Sequence, residues 1–463
     1  MQYIENRTFD EIDVGDTAEI VRTLRTDDIE LFAVMSGDIN PAHVDPEYAR
    51  DDLFKKVIAH GMWGGALISA VLGTELPGPG TIYLNQSLSF RHPVGVGDTV
   101  TVRVTARAKN AENRQVTFDC LCLNQDGAVV IRGEALVIAP SLKVRRPRVV
   151  LPEVHLHERG ARYGQLIEAT RPLAPVRTAV VHPCDRLSLE GALEAAKRGL
   201  ILPILVGPRG RINAAAAEAG VDLGHVEIVD TPHSHAAAAR AVALVREGRT
   251  EALMKGKLHT DELMEAIVDH TTGLRTERRM SHVFALDVPS YPRPLFVTDA
   301  AINIDPDIDV LRDIVQNAID LAHALGMDEP KVALLSAVET VTPKLPSTLK
   351  AAALCKMAER GQIEGGLLDG PLAFDNAVSP AAAEAKGIRS PVAGRADILV
   401  APDLESGNMI AKQLIHLAGA DAAGIVLGAR VPVMLTSRAD DVLARLASAA
   451  LAQLFVRHRA GPV

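Results

Sequence analysis

The chain has 463 residues, 48% of them apolar and 23% charged, with a formal net charge of -9. One hydrophobic core does not serve that length, so two or three domains are expected, in the composition range of soluble globular proteins. The negative balance excludes a basic field for nucleic acid or an acidic membrane face.

The opening stretch MQYIENRTFDEIDVGD is acidic and lacks the apolar core of a signal peptide. No run of 18 apolar residues occurs, so no membrane-spanning helix is expected. Cys120, Cys122, Cys184 and Cys355 show no CxxC spacing, which points to a reducing cytoplasm rather than a structural zinc or disulfide frame.

In chain order, residues 17–24 (TAEIVRTL) predict a first strand, and Thr26-Asp27 is expected to cap a helix to about Val34. The stretch MSGDINPAHVDPEYA (35–49) follows. Asn-Pro marks a turn and drives the preceding residue out of helical conformation, so the backbone should double back between Asp38 and His43. An acid and an imidazole facing one small volume can share a water, one taking a proton and the other placing it. Read alone, the pair also fits an N-cap Asp and a surface His. AHGMWGGALISAVLGTEL (59–76) is apolar on nearly every side, as a buried helix is. Strand-like runs follow at TIYLNQSLSF, DTVTVRVTARAK, QVTFDCLCL and, after the turn Asp126-Gly127, AVVIRGEALVIA. Cys120 and Cys122 share one face of their strand, as small core residues would. A meander of antiparallel strands wrapped around one helix describes a hot-dog fold over residues 1–140.

Residues 141–160 are read as a linker with no clear period, and the basic cluster Lys143 to Arg148 as its solvated part. His155 and His157 there read as solvent-facing. From 161 to 463 strands and helices alternate: TAVVHP, ILPILVG, VEIVD, KVALLSA, ADILVAP and AGIVLGA are continuous apolar runs. Such runs suit strands buried on both faces, hence an α/β domain with a mostly parallel sheet. Gly207-Pro-Arg-Gly210 lacks the third glycine of a dinucleotide loop, and Glu251 stands where a P-loop ending at Gly256-Lys257 needs glycine. A decarboxylating dehydrogenase, of similar architecture, is disfavoured on that ground. His233 and His235, without acidic or thiol partners nearby, read as a helix-start pair.

Ser36, Gly37, Asp38, Asn40, Pro41, His43 and Ala49, with AHGM at 59–62, resemble the signature of MaoC-type (R)-specific enoyl-CoA hydratases. The resemblance implies Asp38 and His43 as the catalytic pair, Asn40 near substrate, and the Gly61 amide as the group polarising the thioester oxygen. It also implies a homo-oligomer. GPLAFDNAVSP (370–380), SPVAGRADILVAPDLESGNMIAKQL (390–414) and PVMLTSRADD (432–441) together resemble the phosphate acetyltransferase/phosphate butyryltransferase family. MKGKLHT (254–260) and PLFVTDAAINIDPD (294–307) extend that resemblance, with LTSRAD closer to the butyryl branch. The resemblance implies that Ser437 hydrogen-bonds the sulfur of CoA and Arg438 binds the carbonyl oxygen or phosphate. Where acetyl-type members carry a base, this chain has Ala444, which leaves Asp440, ahead of Asp441, as the carboxylate. Asp375 and Asn376 fit either a turn near phosphate or a helix cap, and Asn408 either a ligand contact or the start of a helix at Met409. Arg395 is expected at the surface.

These resemblances imply a bifunctional enzyme acting on acyl-CoA and phosphate, without metal or redox cofactor. The alternative keeps only the transferase, with the hot-dog domain binding acyl-CoA or driving assembly.

Overall fold

The structure, a computed structural model, describes residues 3–151, 154, 156, 160–435 and 442–461. The chain divides into two compact units, Met1–Leu156 and His157–Val463.

In the first unit β1 (Tyr3–Glu5), β2 (Thr17–Thr23), α1 (Thr26–Ser36), α2 (Pro41–Val44), α3 (Pro46–Asp51) and α4 (Gly61–Thr74) come first. They are followed by β3 (Ile82–Phe90), β4 (Thr99–Asn110), β5 (Gln115–Leu123), β6 (Val129–Ile138) and β7 (Arg145–Pro147). Strands β2, β4, β5, β6 and β3 form an antiparallel sheet in that order. Only β4, β5 and β6 make the expected meander, because β3 pairs with β6 across the sequence. Period-two patterning sets the core face. Val100, Val102 and Val104 of β4, and Val116, Phe118, Cys120 and Cys122 of β5, are buried against Ile68, Val71 and Leu72 of α4. Each fully buried side chain of the Val or Phe class contributes about 1.5–3 kcal/mol. Burial pushes the Cys120 thiol up to about 11 and Cys122 to about 12, so both are packing residues and not nucleophiles.

Three details differ from the sequence reading. The first helix runs to Ser36, and its start is held by the Asp28 carboxylate accepting from the Arg25 amide at 2.9 Å, not by a Thr26-Asp27 cap. Helix α4 is covered by the sheet on one side only, and Met62 on its other side stays 56% exposed. Arg145–Pro147, expected in a solvated linker, pairs with Tyr3–Glu5. Its partner lies at the far end of the domain, where local composition gives no hint of it. Asn6 clamps the junction, donating Nδ2 to the Leu142 carbonyl at 2.8 Å and accepting from the Val144 amide at 2.8 Å.

The second unit begins with α5 (Ala161–Ala169), β8 (Val176–Val181), α6 (Arg186–Lys197), β9 (Ile201–Gly207), α7 (Arg209–Ala219) and β10 (Glu227–Asp230). Next come α8 (Ser234–Arg246), β11 (Ala252–Lys255), α9 (Thr260–Val268), β12 (Ser281–Asp287), β13 (Leu295–Thr298), α10 (Ile308–Ala324) and β14 (Lys331–Leu335). The chain continues through α11 (Pro346–Glu359), β15 (Leu367–Leu372), α12 (Phe374–Val378), α13 (Pro380–Ala385), β16 (Ile398–Val400) and α14 (Leu404–Leu417). It ends with β17 (Asp421–Leu427), β18 (Val433–Met434) and α15 (Val442–Ala460). An 11-stranded sheet runs β10-β9-β8-β11-β18-β17-β12-β13-β16-β14-β15. It is mostly parallel, as expected, with Val180, Leu205, Phe296, Ile398 and Ile425 buried on one face and Val181, Val206, Val297 and Leu399 on the other. Strand β17, the AGIVLGA run, is the departure: it is antiparallel to both neighbours and leads into β18 before any helix. Strands β12 and β13 are also antiparallel, so β13–β16 run opposite to β8, β11 and β18.

Candidate active sites

In the first unit the turn at 36–43 is built from its own side chains. Gly37 ends α1 at φ +75°, its amide on the Ala33 carbonyl at 2.8 Å, a left-handed position that suits glycine. The Asp38 carboxylate then accepts from the Asn40 amide at 3.2 Å, and Asn40 Oδ1 caps α2 through the Ala42 amide at 3.2 Å. Asn40 is thus a cap here, and it aims the next turn so that His43 faces Asp38. His43 Nδ1 lies 2.9 Å from the Ile58 carbonyl. A carbonyl only accepts, so Nδ1 carries the hydrogen and the neutral ring keeps its open lone pair on Nε2.

A third side chain, not singled out from sequence, completes the group. His60 is 2% exposed, its Nε2 2.9 Å from the Asp38 carbonyl and its ring 4.1 Å from that of His43. One polar atom each of Asp38, His43 and His60 lies within 4.8 Å of the other two. A single water with hydrogen bonds of about 2.8 Å spans atoms about 4.5 Å apart, so the group is spaced to share one water. The signal for His60 was its place directly before Gly61 in AHGM. Gly61 is the first residue of α4, so its amide has no acceptor within the helix and sits at the positive end of the helix dipole. His43, His60 and Gly61 open onto a cavity of about 250 Å³ whose apolar wall includes Trp63, Val100 and Ile131.

In the second unit Ser437, Arg438, Asp440 and Asp441 lie outside the described residues, as do His155 and His157. The flanks of the 436–441 segment are placed. Strand β18 pairs with β11, Met254 opposite Met434, so the chain leaves the sheet at Leu435 beside Lys255. There the carboxyl ends of β8 and β11 are tied together. Gly256 and Lys257 donate their amides to the carbonyls of Val181 and His182 at 2.8 and 2.9 Å. His182 Nδ1 lies 2.7 Å from the Lys257 carbonyl, and His182 adopts φ +54°. Ligands of open α/β sheets sit outside such carboxyl ends.

Asp375 and Asn408 stand elsewhere, at the carboxyl ends of the oppositely directed strands. Asp375 is exposed in α12, 3.7 Å from Lys386 Nζ. Asn376 is buried against the Glu339 carboxylate. The cap after them is Ser379, which accepts from the Ala382 amide at 3.3 Å. Asn408 lies inside α14, which Asp403 caps at the Ser406 amide at 2.8 Å, so that helix starts at Leu404 rather than Met409. Asn408 Nδ2 donates to the Ala300 carbonyl at 3.0 Å. That bond joins it to a buried network in which the Asp299 carboxylate accepts from the amides of Ala301, Ile302, Asn303 and His282 at 3.0–3.2 Å. Arg395 is exposed, and His233 caps α8 at the Ala236 amide at 3.3 Å, both as expected, but His235 does have an acidic partner, its Nδ1 lying 3.4 Å from the Glu262 carboxylate brought in by α9.

Residues 231–453 match the family model described as phosphate acetyl/butaryl transferase, and residues 11–119 match the MaoC-like domain model. A phosphate acetyltransferase of Rhizobium meliloti is 66% identical over 299 residues, which cover 65% of this chain and 95% of that protein. A phosphate butyryltransferase of Clostridium acetobutylicum is 41% identical over 292 residues, covering 63% and 97%. Among solved structures, a branched-chain phosphotransacylase from Enterococcus faecalis is similar at 30% identity and TM-score 0.53, over 60% of this chain and 99% of that one. The chain belongs to the phosphate acetyl/butyryl transferase family and carries a MaoC-like hot-dog domain ahead of the transferase unit. Among the described residues no helix is long and apolar enough to cross a membrane.

Proposed function

We propose that the chain has two activities on CoA thioesters, hydration of trans-2-enoyl-CoA to (R)-3-hydroxyacyl-CoA and acyl exchange between CoA and orthophosphate. The observation that carries the first is that His43 and the first-turn amide of Gly61 open onto one cavity while Asp38 lies within 4.8 Å of His43. The water oxygen bonds C3 as one member of the pair takes its proton, and C2 receives a proton from the other. The negative charge that builds on the thioester oxygen between those events falls to the Gly61 amide.

The second reaction forms a bond from phosphate oxygen to the acyl carbon and breaks the bond to sulfur. Arg438 is the group for the dianion or the carbonyl oxygen, Ser437 the donor to the departing sulfur, and Asp440 the base toward the thiol in reverse. Asp375 and Asn408 are proposed as outlying substrate contacts. Neither reaction calls on a metal or redox cofactor, and a cytoplasmic setting supplies both substrates. A homo-oligomer is proposed through the first unit, where Met62, Ile82, Leu84 and Phe90 leave apolar surface on α4 and on the edge strand β3.

The test is one purified chain given crotonyl-CoA alone, and butyryl- and acetyl-CoA with phosphate. Hydration together with phosphate-dependent CoA release supports the reading. CoA release without any hydration would reduce the first unit to a binding or assembly module.

A further inference from the structure

We propose that His60 is a positioning residue of the hydration site, acting through the loop that carries Asp38; this rests on the hydration reading above. His60 is 2% exposed and touches every other part of the group. Its Nε2 lies 2.9 Å from the Asp38 carbonyl, an acceptor only, so Nε2 holds the hydrogen. That bond crosses 22 positions of sequence and pins the loop that bears the carboxylate. Its ring packs against those of His43 at 4.1 Å and Phe32 at 4.9 Å, which restrains the plane of the imidazole opposite Asp38. Its backbone is the N-cap of α4, so it also sets where the Gly61 amide begins.

His60 lines the same cavity as His43. Its Nδ1 is buried and has no hydrogen-bond partner among the described residues, so the bond from Nε2 to the Asp38 carbonyl is the polar contact through which the ring acts.

The substitutions test the bond from Nε2. Glutamine places an amide donor near the position of Nε2 and can keep the bond to the Asp38 carbonyl, whereas alanine keeps neither nitrogen. His60→Ala should lower kcat for crotonyl-CoA hydration roughly 100-fold, the lower end of what a well-placed acid–base pair contributes, with KM changed far less. His60→Gln should recover a large part of that loss. A residue that works through Asp38 is non-additive with it, so the double variant Asp38→Asn/His60→Ala should hydrate no more slowly than Asp38→Asn alone. Phosphate-dependent CoA release and the thermal transition of each variant report whether the chain is folded. Hydration by folded His60→Ala within about threefold of the parent, or a glutamine variant no better than alanine, overturns the proposal while leaving Asp38 and His43 in place. A parent chain that does not hydrate at all removes the hydration reading, and this proposal with it.

Discussion

The two units bring reactive groups together in opposite ways. In the first, Asp38, His43, His60 and Gly61 span only a short piece of chain, and the turn that joins them is held by its own side chains. In the second, the candidate groups run from Asp375 to Asp440, and the placed ones, Asp375 and Asn408, are set at strand ends by the order of an 11-stranded sheet. A locally built site depends on turn chemistry and one helix start, and tolerates any scaffold that buries its back. A site built by topology depends on every strand between its parts.

That contrast predicts separable failure. The largest effect should follow Asp38→Asn, which removes the carboxylate of the proposed hydration pair: hydration should fall by about 10³-fold or more while phosphate-dependent CoA release is unchanged. Arg438→Ala should do the reverse, lowering phosphorolysis by about 10²–10³-fold with hydration intact, since in the proposed reaction it removes one charged donor to the developing negative charge. Loss of both activities from either change, in a folded chain, would dissolve the distinction between the two sites.

Stability should separate the units in the same way. In the second, burial holds the His282 imidazole down to about 4 from its ordinary 6.5. Between those values the unfolded chain binds the proton and the folded one does not, so stability falls as pH falls from 6.5 toward 4, by about 3 kcal/mol in all. Urea midpoints at pH 7 and pH 5 should show the drop, and His282→Gln should flatten it; an equally steep variant would remove His282 as its source. In the first unit a Cβ on Gly133 would stand 1.9 Å from the Ser87 carbonyl oxygen, a backbone atom of the neighbouring strand. Gly133→Ala should therefore loosen the pairing of β3 with β6 and destabilise that unit by about 1–3 kcal/mol. Thermal melting followed with both activities should show hydration lost at lower temperature and CoA release unmoved.

What could be read without coordinates was whatever depends on near neighbours along the chain. The period-two runs of β4 and β5, the apolar runs of β8, β9 and β14, the turn at Asn40-Pro41 and the pairing of Asp38 with His43 are of this kind. Patterning over a few residues decides which face is buried and where the backbone reverses, and the chain alone carries that information. Tertiary structure decided which strands are neighbours. It set β3 beside β6, turned β17 antiparallel, and drew Arg145–Pro147 into a strand with the N-terminus. It also gave His60 its role, because a lone histidine next to a glycine acquires chemistry only when a carbonyl 22 residues away and a second imidazole close around it. Such long-range partners are chosen by packing and by the need to satisfy buried polar groups, and no short window of sequence contains them.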